Sequence, residues 1–375
     1  MAREFQVDLR GVVELLARHV YSSPRVFVRE LLQNGVDAVT ARRMQDPTAP
    51  LGPVLLQPAD AGGAGALVVS DPGIGITIDE VHELLATVGA SSKGAIDGEP
   101  TGFLGRFGVG LLSCFVIAER IEVVSRSASG APPIRWTGQD DGTYEVQELS
   151  VDDPAAPSSP GTRVRLDPRP DMAEWVGAAM VELLAATFGA ALRVPVLVER
   201  ADGTQVQLSD PDPPWRTGSR VAAAQAWSER HLGFTPMAVL PISIPSLGIE
   251  GSAFVPPEEA HPTNRGGAHV YLSGMLLGED VPDVVPEWAF FVRVVIDGDG
   301  LHPTASRESL VDDEALAAAI GEQVRAWMLA LTQADPDLLT ASARSTSAPP
   351  RPWRRDLVAF AELAPGCRSR RATGC

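Results

Sequence analysis

Hydrophobic residues recur at helical spacing through the first part of the chain. Leucines and valines lie three or four positions apart through residues 8–44, with a break at the Ser-Ser-Pro of residues 22–24. This period predicts two amphipathic helices joined by a turn. The second helix carries Glu30, Asn34 and Asp37 at spacings that place all three side chains on one stripe of its surface.

Short apolar runs and further helical periods alternate along the rest of the chain, which predicts an α/β protein. Residues 46–65, rich in proline, glycine and alanine, indicate a loop. Strands are predicted at 66–71, 120–125, 161–166, 194–198, 237–244, 251–255, 269–272 and 290–296. Helices are predicted from Asp79 onward and at 111–118, 171–190 and 312–331.

Composition divides the chain into segments. Residues 201–220 are polar and proline-rich, which favours a domain boundary. Residues 341–375 hold seven arginines against two acids and little periodic hydrophobicity, so we expect this tail to be disordered. It is either a basic arm with a function or an aberrant C-terminus. The length of 375 residues suits two or three domains.

The composition and net charge of the chain argue against several classes of function and location. Hydrophobic residues make up 45% of the chain and the formal net charge is −17, so we expect a globular protein whose partners include neither nucleic acid nor membrane. Three cysteines are too few for a disulfide framework in a chain of this length. The first eight residues are charged where a signal peptide is apolar, which predicts a cytoplasmic protein.

Two polar motifs are candidates for a functional site, and the second of them suits the binding of a flat polar ring. The stripe of Glu30, Asn34 and Asp37 is either a solvated helix face or part of such a site. The predicted strand at 66–71 ends in Asp71, followed by Pro-Gly-Ile-Gly. A carboxylate there can accept a hydrogen bond from an amine, and the glycines let the backbone approach a ring closely. The same motif is also compatible with an ordinary turn.

A glycine-rich segment follows and suggests phosphate binding. Residues 89–110 contain seven glycines, and Gly102–Gly110 runs directly into an apolar helix. Backbone N–H groups at such a helix start suit phosphate oxygens. Lys93, the single lysine of the chain, lies in this segment. It is either an ordinary surface residue or a phosphate contact.

The three motifs, in this order and about 35 and 30 residues apart, resemble the GHKL (Bergerat-fold) ATPases. The sequences of three segments resemble those of the bacterial heat-shock protein 90 chaperones: Arg29–Ala38, Phe107–Gly110 and Gly161–Thr162. This resemblance extends over about residues 5–335. The resemblance implies a two-layer α/β sandwich followed by a second α/β domain of the middle type. It implies an ATP-binding domain at 1–205 and a partial middle-type domain at 206–335, followed by the tail at 336–375.

The resemblance also implies roles for single residues. Glu30 matches the general base that activates water, Asn34 the Mg²⁺ ligand, and Asp71 the carboxylate that recognises the adenine amine with help from Thr162. The remaining matches line the pocket or form the segment that closes over the phosphates of ATP: Asp37, Ala38, Gly75, Gly105, Phe107, Gly108, Val109 and Gly110.

The second domain adds one candidate catalytic residue. Pro303–Leu310 resembles the middle-domain loop that supplies an arginine to the γ-phosphate, and Arg307 is that residue. Its alternative role is an ion pair with Glu308. Val311 stands where the family usually has a glutamine, so we do not expect this loop of the second domain to position the attacking water.

The resemblance implies an ATP-dependent chaperone that uses ATP and Mg²⁺ to close on unfolded or partly folded client proteins. The alternative is a nucleotide-binding regulatory or holdase fragment without significant turnover. Because nothing matches the family's C-terminal dimerisation domain, we expect low turnover and a weak or transient homodimer through the N-terminal domain. Histidine kinases and topoisomerases fit less well, because the chain has no early dimerisation helix with a phospho-accepting histidine and its body is acidic.

Overall fold

The computed structural model describes residues 23–84, 110–216, 221–257, 267–304, 309–311 and 314–334. The chain divides into two compact units between Pro211 and Asp212, with Ser273–Met275 grouped in the first unit. Both units combine a sheet with helices, which confirms the predicted α/β class.

The first unit contains an eight-stranded sheet in the order β5-β4-β3-β6-β2-β1-β7-β8. Neighbouring strands are antiparallel except for β1 and β7, which are parallel. The strands are β1 Val54–Gln57, β2 Leu67–Asp71, β3 Ala118–Arg126, β4 Ile134–Gln139, β5 Tyr144–Glu148, β6 Gly161–Pro168, β7 Val196–Glu199 and β8 Gln205–Gln207.

Two longer helices accompany this sheet. They are α1 Val26–Gln45 and α3 Ala178–Gly189, with the short α2 Ile78–Leu84 and 3₁₀ helices at Leu111–Val116 and Pro170–Val176. Helix α1 contacts α3, β1 and β2. A Cβ atom on Gly35 would lie 2.9 Å from a methyl carbon of Val54, so the absence of a side chain there lets α1 approach the sheet closely.

One end of each longer helix has an identifiable cause. Helix α1 stops before Pro47, which has no amide hydrogen to continue the helix, and the carboxylate of Asp46 accepts bonds from the N–H and hydroxyl of Thr48. The carboxylate of Asp60 accepts the Ala178 N–H at 2.7 Å. That bond satisfies one of the free donors at the start of α3.

The second unit is built on a five-stranded sheet in the order β12-β11-β13-β10-β9. Its strands are β9 Ala238–Ile244, β10 Ile249–Val255, β11 Ala268–Leu272, β12 Met275–Val281 and β13 Arg293–Gly298, and its helices are α4 Val221–His231 and α5 Glu314–Ala334. Leu316, Ile320, Val324 and Met328 of α5 recur at helical spacing and are buried in the core of this unit.

One edge of this sheet is covered by a side chain. The amide of Gln323 on α5 accepts a bond from the Ser243 N–H at 3.0 Å and donates one to the Ser243 carbonyl at 2.7 Å. Both outward backbone groups of Ser243 on edge strand β9 are therefore satisfied by Gln323. Two residues earlier, Pro241 has no N–H to offer.

The structure differs from the sequence-based elements in several places. The segment 46–65 is not all loop, because it contains β1. The helix predicted at 171–190 is divided at Gly177 into a 3₁₀ helix and α3, and the helix predicted at 111–118 is a 3₁₀ helix. The pattern also did not predict β4, β5, β8, β12, α4 and the short 3₁₀ helices Pro245–Leu247 and Glu287–Ala289.

Helix length and hydropathy give no single membrane-spanning candidate within the described residues. One bent pair of helices, Pro170–Val176 with Ala178–Gly189, passes the same test by length and composition alone.

Candidate functional site

The polar stripe of α1 is buried and is not a solvated face. Glu30 is 7% exposed and Asp37 is 3% exposed, whereas Asn34 is the one partly exposed residue within 26–39. Burying two acidic side chains is costly unless their environment compensates for the lost water. The stripe therefore belongs to a polar site inside the fold.

Glu30 lies between an arginine and the start of a 3₁₀ helix. The Arg29 guanidinium is 3.2 Å from its carboxylate, and both side chains are buried. A Cβ atom on Gly110 would lie 2.5 Å from Glu30 Oε2, so the chain after the glycine-rich segment passes directly against this carboxylate. Burial, and next the charge of Glu30, raise the pKa of the Cys114 thiol in the same 3₁₀ helix.

Asp71 stands at the end of β2 with two backbone donors. Its carboxylate accepts the Gly73 N–H at 2.8 Å and also the N–H of Thr162, its register partner on β6. Removal of this carboxyl group from solvent raises the pKa of Asp71 to about 7, and the two N–H donors oppose the rise. The group is thus near its titration midpoint at neutral pH.

The glycines after Asp71 are required by close contacts. A Cβ atom on Gly73 would lie 2.4 Å from the Cβ of Ala38. Gly75 has φ +68°, and a Cβ atom there would lie 2.0 Å from the carbonyl oxygen of Arg126. Between these glycines, the Ile74 N–H donates to the Ala38 carbonyl at 3.0 Å. The Asp-Pro-Gly-Ile-Gly segment is therefore packed against α1 and the end of β3, unlike an ordinary exposed turn.

Helix α1 links this end of the site to the catalytic candidates. A Cβ atom on Gly35 would lie 3.6 Å from the Cβ of Asp71, and Gly35 is the neighbour of Asn34 along the chain. Glu30 and Asp37 are seven residues apart, which corresponds to about 10 Å along a helix axis. Glu30 of α1 and the neighbouring Gly110 thus lie at one end of the site, and Ala38 of α1 with the segment from Asp71 to Gly75 lies at the other.

Two polar residues that the sequence did not single out also hold this site together. Arg42 on α1 donates from Nη1 to the Pro72 carbonyl at 2.8 Å and to the Pro160 carbonyl at 3.0 Å. Ser125, fully buried on β3, contacts Thr162 Oγ1 at 2.9 Å. An arginine near a helix end and a serine at a strand end are common features, so sequence alone held no signal for either.

Several predicted site residues lie outside the described part of the chain. These are Lys93, Gly105, Phe107, Gly108, Val109 and Arg307, together with the segment 336–375. Their roles stay predictions. Gly110 is the residue of the predicted phosphate-covering segment that the structure does describe, and it lies against Glu30.

The side chains near the site bear on whether it could hold a divalent metal. Within the described ranges, no group of three or more histidine, cysteine, aspartate or glutamate side chains could hold a metal ion. Mg²⁺ binds proteins through one or two oxygen ligands and takes the rest from phosphates and water. The partly exposed Asn34, between the two buried acids of its stripe, fits an ion that arrives with a nucleotide.

Known proteins resemble this chain in sequence. Residues 21–153 match the family described as histidine kinase-, DNA gyrase B-, and HSP90-like ATPase. The chaperone protein HtpG of Azorhizobium caulinodans is 29% identical over 342 residues, which cover 84% of this chain and 53% of the relative. The HtpG of Nitratidesulfovibrio vulgaris is 26% identical over 381 residues, covering 94% and 57%.

The chain spans about half the length of the curated relatives it matches. The chain is therefore similar in sequence to the bacterial HtpG chaperones, and its residues 21–153 match an ATPase family that includes the HSP90-like proteins.

Proposed function

We propose that the first unit binds ATP and hydrolyses it slowly, as the ATP-driven part of a heat-shock protein 90 chaperone cycle. The observation that carries this proposal is the placement of two acidic side chains against α1: Glu30, buried on the helix beside Gly110, and Asp71, at the end of β2 beside Gly35. The Asp71 carboxylate is suited to the edge of a base, and the Glu30 carboxylate is suited to a water molecule. Helix α1, which carries Glu30 and lies beside Asp71, fixes the distance between them.

Recognition of the base rests on Asp71. Its ionised carboxylate accepts a hydrogen bond from the exocyclic amine of adenine, while the Gly73 and Thr162 N–H groups hold the carboxylate in place. Asp37, Ala38 and Gly75 complete the pocket around the base. A guanine ring offers a carbonyl oxygen at the position of the amine, which the carboxylate repels.

Hydrolysis rests on Glu30. A water molecule attacks the γ-phosphorus, its proton passes to the Glu30 carboxylate, and the bond to the leaving ADP oxygen breaks. Arg29 holds the Glu30 side chain in place through their ion pair. Arg307, Lys93 and the segment of Gly105, Phe107, Gly108, Val109 and Gly110 are proposed to contact or cover the phosphates.

Asn34 is proposed as the protein ligand of Mg²⁺. When bound, this ion neutralises charge on the phosphates of ATP. The amide oxygen of Asn34 supplies a neutral ligand, which leaves Glu30 free to act on water. Client binding, weak pairing of two chains through the first unit, and a cytoplasmic location remain predictions for this protein.

The decisive experiment compares ATP turnover and ATP binding in the wild type and in Glu30→Gln. We expect the variant to bind ATP with nearly wild-type affinity and to lose turnover by about 10²- to 10⁴-fold, the usual contribution of a general base. Glu182→Gln, an exposed position paired with Arg200, is the matched control and should turn over normally. Arg307→Ala tests the second catalytic candidate in the same assay.

The outcome separates the chaperone from the alternative function. If the wild type binds ATP but its turnover equals that of Glu30→Gln, the chain is a nucleotide-binding regulatory or holdase protein. If turnover is present, suppression of aggregation of a chemically denatured client should respond to ATP in the wild type and respond differently in Glu30→Gln. Absence of ATP binding in the wild type would refute both.

A further inference from the structure

The Ser125 hydroxyl joins three segments that surround the base end of the site. Its Oγ lies 2.9 Å from the Ile76 N–H, 2.9 Å from Thr162 Oγ1 and 3.1 Å from the Gly161 carbonyl oxygen. Ser125 is fully buried, so water does not compete for these contacts. The hydroxyl thus connects the glycine segment after Asp71 with the start of β6.

The three contacts fix the direction of each hydrogen bond. A hydroxyl has one hydrogen to donate and two lone pairs to accept with. The Ile76 N–H can only donate, and the Gly161 carbonyl can only accept. All three contacts are satisfied together only if Ser125 accepts from Ile76 and from the Thr162 hydroxyl, and donates to Gly161.

This arrangement uses the single hydrogen of the Thr162 hydroxyl. Thr162 Oγ1 is then left with lone pairs alone for any ligand. Thr162 is the register partner of Asp71, whose carboxylate is also an acceptor when ionised. When Asp71 is ionised, the edge of the site formed by these two residues therefore presents acceptors and no hydroxyl donor.

We propose that Ser125 is a specificity-determining positioning residue, which holds the Thr162 hydroxyl as an acceptor and so favours purines with an amine over those with a carbonyl at the same ring position. The proposal rests on the proposed ATP site. Without Ser125, the Thr162 hydroxyl can rotate and donate to a carbonyl oxygen, which removes one source of discrimination.

The test compares the affinities of ATP and ITP, which differ at the ring position where adenine carries its amine. In Ser125→Ala we expect the affinity for ITP to rise relative to that for ATP. The ratio of the ITP dissociation constant to the ATP dissociation constant should then fall by about 3- to 10-fold, the effect of one ordinary hydrogen bond. General damage to the pocket weakens both nucleotides equally and leaves this ratio unchanged. Ser125→Thr keeps the hydroxyl and should restore the ratio.

Thr162→Val completes a double-mutant cycle. It removes the hydroxyl through which Ser125 acts, so its own ratio of the ITP dissociation constant to the ATP dissociation constant should fall, and adding Ser125→Ala to it should change this ratio no further. An unchanged ratio in Ser125→Ala, or equal effects of that substitution with and without the Thr162 hydroxyl, would overturn the proposal.

The controls keep the outcomes distinct. If Ser125→Ala does not fold, the Thr162→Val ratio decides alone: a fall supports the proposal and a wild-type ratio overturns it. If the wild type binds neither nucleotide, the proposed ATP function fails. If it binds ATP and the variants behave alike towards both nucleotides, only the role of Ser125 fails.

Discussion

Replacing Asp71 by asparagine should stabilise the nucleotide-free protein at alkaline pH while weakening ATP binding. The substitution keeps an oxygen to accept the Gly73 N–H and removes a charge that is poorly solvated in the folded protein. The pKa of Asp71 is about 7 in the folded protein against an ordinary value of 3.8. Because the folded state favours the protonated carboxyl, ionising Asp71 at high pH opposes folding.

The size of the effect follows from linkage between the two pKa values. A group whose pKa is raised on folding contributes full stability below the unfolded pKa and loses that contribution as pH rises through the folded pKa. The shift of roughly three units corresponds to about 4 kcal/mol at high pH. About 2 to 3 kcal/mol of this is lost between about pH 5 and about pH 8. The free energy of unfolding of Asp71→Asn, relative to wild type, should rise by that amount over this interval.

Urea unfolding read by pulse proteolysis measures this difference, because fragments of the first unit can be followed separately from the rest. Asp141→Asn is the matched control: Asp141 lies in an exposed turn, and hydrogen bonds from Thr143 lower its pKa, so its difference from wild type should be flat over the same pH interval. A flat difference for Asp71→Asn would show that Asp71 is not desolvated. ATP affinity should fall in Asp71→Asn, because an asparagine can turn its NH₂ group towards the amine.

Further substitutions test contacts around the site. Gly110→Ala should lower ATP turnover with little effect on ATP affinity, because its Cβ displaces the Glu30 carboxylate; Gly177→Ala, which meets nothing closer than 3.5 Å, should not. Arg42→Met should raise the dissociation constant of ATP and cost about 1 to 3 kcal/mol in unfolding experiments, because two carbonyls lose a charged donor, and Arg42→Lys should recover part of both. Gly75→Ala should destabilise the first unit by more than about 3 kcal/mol, since left-handed strain and a backbone collision add together. Gly65→Ala has the strain without the collision, so a similar loss in both variants, measured by urea unfolding, would contradict the packing described for Gly75.

The sequence predicts those parts of the fold in which apolar residues recur at regular spacing or a recognisable motif is present. Helix α1 is predicted by the helical spacing of its apolar residues, and the strand that ends at Asp71 is predicted by a short continuous apolar run. Strand β1 was missed because it has four residues between Pro53 and Pro58, and its burial comes from neighbouring strands. The split at Gly177 depends on the Asp60 carboxylate, which is distant in sequence.

In the candidate site, too, some residues could be predicted from local sequence and others depend on contacts with distant segments. Glu30 and Asp71 could be chosen because their motifs follow recognisable elements. Whether the polar stripe of α1 faced solvent or the interior could not be decided locally, because the answer depends on elements that pack against the helix from elsewhere in the chain. Ser125 and Arg42 act through backbone groups of segments up to 118 residues away, so their contacts have no local pattern.

The cover over edge strand β9 has a consequence for a protein proposed to handle unfolded chains. Extended polypeptides bind exposed sheet edges by adding a strand, which requires free N–H and carbonyl groups at every second residue. Along β9 the Gln323 amide occupies both groups of Ser243, and Pro241 lacks an N–H. An unfolded segment therefore finds no continuous ladder on this side of the second unit, and neither does the same edge of another copy. This edge resists conversion into an aggregated sheet under conditions in which unfolded proteins accumulate around it.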